Sequence, residues 1–184
     1  AVGEDAISVR AWHFEGYEDK TPAFEKKTVR VPYTVEIDEK RAVLVTGNVS
    51  VVVDRENWEY RFEAGGKVLT RCGFKNLAYV RWDGTASTQL PAANYMNDGA
   101  KPYMVNELSL SVGECVYGFG ERFTAFVKNG QSIETWNEDG GTASQLSYKS
   151  VPFYMTNRGY GVFVDHTDNV SFDVASEKVE YVGF

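Results

Sequence analysis

Residues 128–149 of this 184-residue sequence combine aromatic, amide and carboxylate side chains within a stretch rich in turn-forming residues. Trp136 offers a flat apolar face and one N–H donor, while Asn137 and Asp139 offer donors and acceptors that match pairs of hydroxyl groups. A sugar suits this combination, because its C–H face packs on an aromatic ring while its hydroxyls form hydrogen bonds. The residues alone make this loop a candidate carbohydrate-binding site.

The composition of the same loop predicts that it is ordered. Loops of about 20 residues are uncommon inside compact domains, where they usually bind something or belong to disordered linkers. A disordered linker would lack the apolar side chains of Ile133, Leu146 and Tyr148. A purely structural alternative stays open, in which Trp136 only anchors the loop to the core and residues 139–141 only form a turn.

Other candidates for chemistry are few, and the sequence contains no motif of a self-sufficient enzyme, a metal site or a cofactor site. The two histidines, His13 and His166, lie near the ends of predicted strands, where a histidine is more often structural than catalytic. The glycines of residues 118–120 are not followed by a helix opening. They therefore predict close packing of two backbones, with Glu121 paired to a nearby donor.

Composition excludes several classes of partner. The net charge is −7, and the Lys and Arg residues are scattered, so a nucleic-acid-binding surface is not expected. No window approaches the roughly 18 consecutive apolar residues of a membrane span. A hydrophobic content of 43% is enough for one large domain or two small ones.

The cysteines and the glycosylation sequons are the features that indicate the cellular location of the protein. Cys72 and Cys115 are compatible with one disulfide or with two buried free thiols, because the sequence does not report their separation. Asn48 and Asn169 each begin an Asn-x-Ser sequon, so both are candidate glycosylation sites. We therefore predict a secreted protein, with a cytoplasmic location as the alternative.

The elements that position these residues are predicted to be strands. Apolar and polar residues alternate strictly in residues 49–53 and 170–174. Two hairpins are predicted, one turning at Gly65-Gly66 and one at residues 157–159, where glycine permits a positive φ. The strands of the second hairpin are apolar on both faces, which indicates a sheet covered on both sides. Further strands are predicted at residues 5–14, 33–37, 42–46, 74–82 and 103–112.

Ten or more short strands with almost no helix predict an all-β fold, an antiparallel β-sandwich. Residues 83–102 are mostly turn-forming and polar, so we expect a surface excursion there. Residues 177–184 still alternate at the end of the chain, and a strand ending there would leave an unpaired edge. We therefore expect the sheet to continue in another polypeptide and the sandwich to be incomplete without it.

Four motifs together resemble the N-terminal domain of glycoside hydrolase family 31, in particular its α-xylosidase branch. The likeness is strong over residues 101–184, whereas the strand pattern before them is compatible but less distinctive. The motifs are GFGERF (118–123), WNEDGGT (136–142), YK (148–149) and TNRGYG (156–161).

The resemblance implies that residues 1–184 form a galactose-mutarotase-like β-sandwich that packs against a (β/α)8 barrel. In that family, retaining hydrolysis uses two aspartates on the barrel, one as nucleophile and one as acid/base. A barrel takes about 250 residues, so this chain is predicted to contain neither the barrel nor a catalytic residue. Its expected partner is a larger catalytic chain of the same precursor, in an assembly that can include further copies.

For the loop, the resemblance implies that residues 128–149 reach over the barrel's active-site mouth and help form the subsite for the leaving-group sugar. Asp139 matches the family's substrate-facing carboxylate. Trp136, Asn137 and Tyr148 are weaker matches, because relatives outside the α-xylosidase branch vary there. The expected activity is that of an α-xylosidase on xylo-oligosaccharides such as those of xyloglucan. The alternatives are an α-glucosidase of the same family and a free-standing carbohydrate-binding module.

Overall fold

The computed structural model describes residues 1–11, 29–82, 101–138, 146–166 and 169–184. Within these residues it contains thirteen strands and no helix, so the predicted all-β class is confirmed. It follows that no helix in the described part of the chain is long and apolar enough to cross a membrane. The strands are β1 (Thr34–Ile37), β2 (Arg41–Thr46), β3 (Val49–Asp54), β4 (Glu59–Ala64), β5 (Lys67–Cys72), β6 (Leu77–Trp82), β7 (Lys101–Ser109), β8 (Val116–Glu121), β9 (Gln131–Glu134), β10 (Lys149–Thr156), β11 (Gly161–Phe163), β12 (Ser171–Val174) and β13 (Tyr181–Gly183).

The strands form three antiparallel sheets. The first is a meander in the order β1-β2-β3-β4-β5, the second has the order β11-β10-β8, and the third has the order β6-β7-β13-β12-β9. The β4–β5 hairpin turns at Gly65 and Gly66, whose φ angles are 56° and 73°. The β10–β11 hairpin turns through Gly159, with a φ of 83°. The pairing of β4 with β5 and of β10 with β11 confirms both predicted hairpins. Glycine allows these turns without steric cost.

Two hydrophobic cores hold the sheets together. The first lies between the second and third sheets, where the rings of Phe119 and Phe172 are 4.8 Å apart at their centroids. The second joins the first sheet to β7, where Leu108 packs with Val51 and Tyr60. The hydroxyl of Thr70 on β5 also donates to the Ser109 carbonyl of β7, at 2.8 Å. The third sheet thus contributes to both cores.

The last strand corrects one prediction. β13 lies between β7 and β12 and is paired with both, so residues 177–184 do not leave an unpaired edge. Beyond it, the backbones of Phe184 and Asn106 exchange two hydrogen bonds, of 2.8 and 2.9 Å. The alternation at this end of the sequence belongs to a central strand rather than to an edge.

Two further predictions differ from the structure. Of the strand expected at residues 5–14, only residues 5–11 are described, and they form no strand; Ala6 alone makes an isolated bridge, with Gly3. Cys72 and Cys115 are both free thiols, so the disulfide alternative is not what the structure has. Cys72 is fully buried in the second core and Cys115 is partly buried, and burial raises the pKa of the Cys72 thiol to about 11.

Candidate functional site

The candidate loop is described as two arms, residues 128–138 and 146–149. Asp139, the carboxylate singled out in the sequence, lies outside the described residues, as do residues 140–145. The two arms meet where Asn137 and Ser147 form a parallel bridge. The backbone N–H of Glu138 donates to the Ser147 carbonyl at 2.9 Å. The expectation of an ordered loop therefore holds for both described arms, but residues 131–134 are not loop: they form β9, because they pair with β12.

Asn137 takes part in this pairing through its side chain. Its carboxamide oxygen accepts a hydrogen bond of 2.7 Å from the backbone N–H of Ser150. The hydroxyl of Ser150 in turn donates to the Trp136 carbonyl at 3.1 Å. Asn137 was expected to contact substrate, and the structure gives its carboxamide oxygen a role within the loop itself.

Arg122 connects the first arm of the loop to β8 and β10. Its guanidinium donates to the carbonyls of Phe119 and Glu134, at 3.1 and 2.6 Å, and to the Ser150 hydroxyl at 3.0 Å. These acceptors belong to β8, β9 and β10. The guanidinium is half-buried, and this burial lowers its pKa, but an arginine stays protonated in proteins. Sequence reasoning gave Arg122 no role, because its partners are far apart in the chain.

The aromatic side chains of the loop face solvent. Trp136 is 54% exposed and Tyr148 is 57% exposed. The alternative in which Trp136 is only a buried anchor does not fit this exposure, since the buried residues in the two described arms are Lys128, Ile133 and Ser147. The Ser147 hydroxyl donates to the Glu121 carbonyl at 2.5 Å. Two exposed rings are therefore displayed on arms that other residues hold in place.

The glycine pattern at residues 118–120 explains why β8 can approach β10 so closely. A Cβ on Gly118 would lie 2.7 Å from the Phe153 carbonyl oxygen, and one on Gly120 would lie 1.8 Å from that of Lys149. The predicted close packing of two backbones is confirmed. The carboxylate of Glu121 pairs with the Lys149 ammonium at 3.1 Å, as expected, in an exposed ion pair of the kind worth about 0–1 kcal/mol.

The other sequence candidates lie elsewhere. His13 falls outside the described residues, and His166 is exposed beyond the end of β11. Asn48 is exposed in the β2–β3 turn, and Asn169 is exposed just before β12. Both sequons are thus accessible, and their glycosylation stays a prediction.

The fold and the loop define an all-β sandwich domain that displays two aromatic rings on an ordered loop. The family model of the glycosyl hydrolase 31 N-terminal galactose mutarotase-like domain matches residues 1–173. The chain belongs to this family, as its motifs indicated.

Three curated relatives extend the comparison. An alpha-xylosidase, XylQ, of Lactiplantibacillus pentosus is 38% identical over 98% of this chain, and an alpha-xylosidase of Emericella nidulans is 36% identical over 97% of it. Alpha-glucosidase 2 of Bacillus thermoamyloliquefaciens is 25% identical over 86% of the chain. The chain spans only 22%, 24% and 19% of the lengths of these three relatives.

Solved structures show the same fold. A GH31 dextranase of Flavobacterium johnsoniae superimposes with a TM-score of 0.67 and 21% identity, covering 90% of this chain and 20% of that one. A GH31 alpha-xylosidase from a soil metagenome gives a TM-score of 0.63 and 18% identity, covering 92% of this chain and 25% of that one. In these larger enzymes the matching region is a minor part of the chain.

Proposed function

We propose that this domain is the non-catalytic part of a retaining exo-α-glycosidase, an α-xylosidase that acts on xylo-oligosaccharides such as those of xyloglucan. The observation that carries the proposal is the identity of 38% and 36% to two alpha-xylosidases over nearly the whole chain. The α-glucosidase alternative has weaker support, because the corresponding relative is 25% identical.

The chemistry itself is assigned to a larger catalytic polypeptide that carries a (β/α)8 barrel. A retaining glycosidase needs two carboxyl groups about 5–5.5 Å apart, one on each side of the scissile bond. The described arms of the loop contribute Glu134 and Glu138, both exposed. The family resemblance implies that both catalytic carboxylates are aspartates of the barrel, so we assign the nucleophile and the acid/base to the partner.

The loop's part in the reaction is to receive the leaving-group sugar. Trp136 and Tyr148 supply apolar faces against which a pyranose ring can pack. Asp139 supplies a carboxylate that accepts hydrogen bonds from the sugar's hydroxyls. Because Arg122 and Ser150 hold the arms before substrate arrives, little ordering of these arms is needed on binding.

One experiment tests the proposal directly. The chain is purified under native conditions and its mass is measured by native mass spectrometry, followed by a denaturing gel. We expect the 20.6 kDa chain together with a larger polypeptide, and hydrolysis of an aryl α-xyloside faster than of the matching aryl α-glucoside. A stable 20.6 kDa monomer would contradict the proposal, and a preference for the glucoside would favour the α-glucosidase alternative.

A carbohydrate-binding module is the alternative from another class, and the exposed Trp136 is the feature that favours it. Calorimetric titration of the 184-residue chain with xyloglucan oligosaccharides separates the two functions. We expect negligible affinity in the absence of the catalytic polypeptide, because half of the sugar site is then missing. Micromolar binding by the chain alone would favour the module.

A further inference from the structure

A group of polar side chains is buried beneath the β7–β8 and β10–β11 turns, between the first and second sheets. We name it the buried polar site, and it consists of Thr70, Glu114, Tyr154, Thr156 and Tyr160. Glu114 is 4% exposed and Tyr154 is 0% exposed. The hydroxyl of Tyr160 faces the Glu114 carboxylate and the hydroxyls of Thr70 and Thr156. Two strands and two turns therefore bring these polar groups to one place.

The carboxylate of Glu114 is the charged group of this site. Its Oε2 atom accepts a hydrogen bond of 2.7 Å from the Ser111 backbone N–H, whereas its Oε1 atom is buried and has no hydrogen-bond partner. Within the described residues the carboxylate forms no ion pair. A buried carboxylate oxygen without a partner is costly, because it has lost its hydrogen bonds to water. The Oε1 atom therefore calls for a ligand inside the domain.

The backbone of the β7–β8 turn holds this carboxylate in the interior. The Glu114 N–H donates to the Ser111 carbonyl at 3.0 Å. The carboxamide of Asn129 donates to the Glu114 carbonyl at 3.0 Å, and that of Asn157 donates to the Gly113 carbonyl at 3.1 Å. Because the turn is bonded on both sides, Glu114 is fixed with its carboxylate facing the site.

Two tyrosine hydroxyls of the site also lack partners. The hydroxyls of Tyr154 and Tyr160 are buried and form no hydrogen bond. Burial raises the pKa of both tyrosines, and the Glu114 carboxylate adds to the effect, so both phenols keep their protons at neutral pH. Tyr154 points into the domain from β10, whose opposite face is open at Met155, 51% exposed, although the sequence indicated cover on both sides. Each phenol proton needs an acceptor.

The ligand must therefore donate to the carboxylate and accept from the phenols. A water molecule has two protons and two lone pairs, so one molecule can donate to Glu114 and accept from both Tyr154 and Tyr160. A cation would neutralise the carboxylate but would leave the phenol protons without an acceptor. The number and type of the unpartnered atoms thus favour water over a cation.

We propose that the buried polar site binds an ordered water molecule through Glu114, Tyr154 and Tyr160. The second water proton has an acceptor in the Thr70 oxygen, whose own proton is used in the 2.8 Å hydrogen bond to the Ser109 carbonyl. The bound water then connects β5 of the first sheet to β10 of the second, in a region without direct strand pairing between them. The inference does not depend on the proposed function.

A crystal structure of the purified protein, with any polypeptide that accompanies it, tests the site directly. We expect one ordered water at about 2.6–3.2 Å from Glu114 Oε1 and from both tyrosine hydroxyls. A direct hydrogen bond from Tyr160 to Glu114, with no water between them, overturns the inference. An atom held at about 2.3–2.6 Å, the range of Ca²⁺–oxygen distances, overturns it as well, because the ligand is then a cation. An anomalous peak at the site after a rubidium chloride soak has the same meaning.

Matched variants give a second measurement. Glu114→Met removes the acceptor at similar side-chain length, and Tyr160→Phe removes one donor. Tyr33→Phe is the control, because it removes a hydroxyl from a ring that is 60% exposed. We expect the water to be lost in Glu114→Met, reduced in occupancy in Tyr160→Phe and unchanged in Tyr33→Phe. Full occupancy in Glu114→Met overturns the inference. If Glu114→Met does not fold, Tyr160→Phe decides, and full occupancy there overturns it.

Discussion

Replacing Arg122 should loosen the candidate loop and destabilise the domain. Among the described residues, the guanidinium donates hydrogen bonds of 2.6, 3.0 and 3.1 Å to β9, β10 and β8. Hydrogen bonds from a charged donor are worth about 1.5–3 kcal/mol each when removed singly. These three hydrogen bonds come from one half-buried guanidinium. When it is removed, water can bond to some of the acceptors, so the three free-energy losses do not add. We expect Arg122→Met to lower the free energy of unfolding by about 2–4 kcal/mol.

Arg122→Lys should have a smaller effect, of about 1–2 kcal/mol. Lysine keeps the positive charge, but its ammonium is a point donor that cannot span three acceptors on different strands. Arg158→Met is the matched control, because Arg158 is exposed in the β10–β11 turn. A surface change of this kind usually alters stability by less than about 0.5 kcal/mol.

Two assays measure these effects. Urea unfolding gives the change in free energy of unfolding, and hydrogen exchange followed by mass spectrometry reports on the loop. The backbone N–H groups of Glu138 and Ser150 are bonded within the loop base and should exchange faster in Arg122→Met. If Arg122→Met matches the Arg158→Met control in both stability and exchange, Arg122 does not hold the loop.

Three further predictions concern the loop carboxylate, a turn and the thiols. Asp139→Ala in the active complex should lower kcat/KM for an oligosaccharide roughly two- to tenfold, the loss of one hydrogen bond, and lower it less for an aryl α-xyloside. Gly159→Val should lower the free energy of unfolding by about 1–3 kcal/mol, because a β-branched residue tolerates a φ of 83° poorly and no neighbouring atom lies within 4 Å of the added Cβ. Iodoacetamide at pH 8 should label Cys115 in the native protein, and Cys72 only after unfolding, because burial keeps the Cys72 thiol protonated and inaccessible.

Each of these has a clear contrary result. Unchanged kinetics with both substrates would remove Asp139 from the sugar site. Gly159→Asn is the control for the turn, since asparagine tolerates positive φ, and equal losses for asparagine and valine would contradict the backbone explanation. Native labelling of Cys72 as fast as Cys115 would contradict its burial. An absence of free thiols in the unfolded, unreduced protein would show a disulfide instead.

Local chemistry explains which parts of the fold were predictable. The β4–β5 and β10–β11 turns follow from glycines that adopt positive φ, a property of single residues and their neighbours. Alternation located most strands to within a few residues, because the side chains of a strand point to opposite faces in turn. The loop was recognisable by its composition, and both described arms are ordered.

Contacts between distant segments explain what was missed. Residues 177–184 were assigned to an edge, but β13 is enclosed by β7 and β12, and no local signal distinguishes a central strand from an edge strand when both alternate. Arg122 is an ordinary charged residue until the fold brings Glu134 and Ser150 to its guanidinium. The described part of the strand expected at residues 5–14 has only the isolated bridge of Ala6 with Gly3.

The amino-acid sequence by itself determined the class of fold, the two glycine hairpins, the family and the loop that carries Trp136 and Asp139. These depend on backbone preferences, on side-chain alternation and on motifs that are read along the chain. The tertiary structure decided which face of β10 is buried, which residue holds the loop and whether Trp136 is exposed. Burial and hydrogen bonding of this kind depend on segments that are distant in sequence, so they exist only once the sheets have packed.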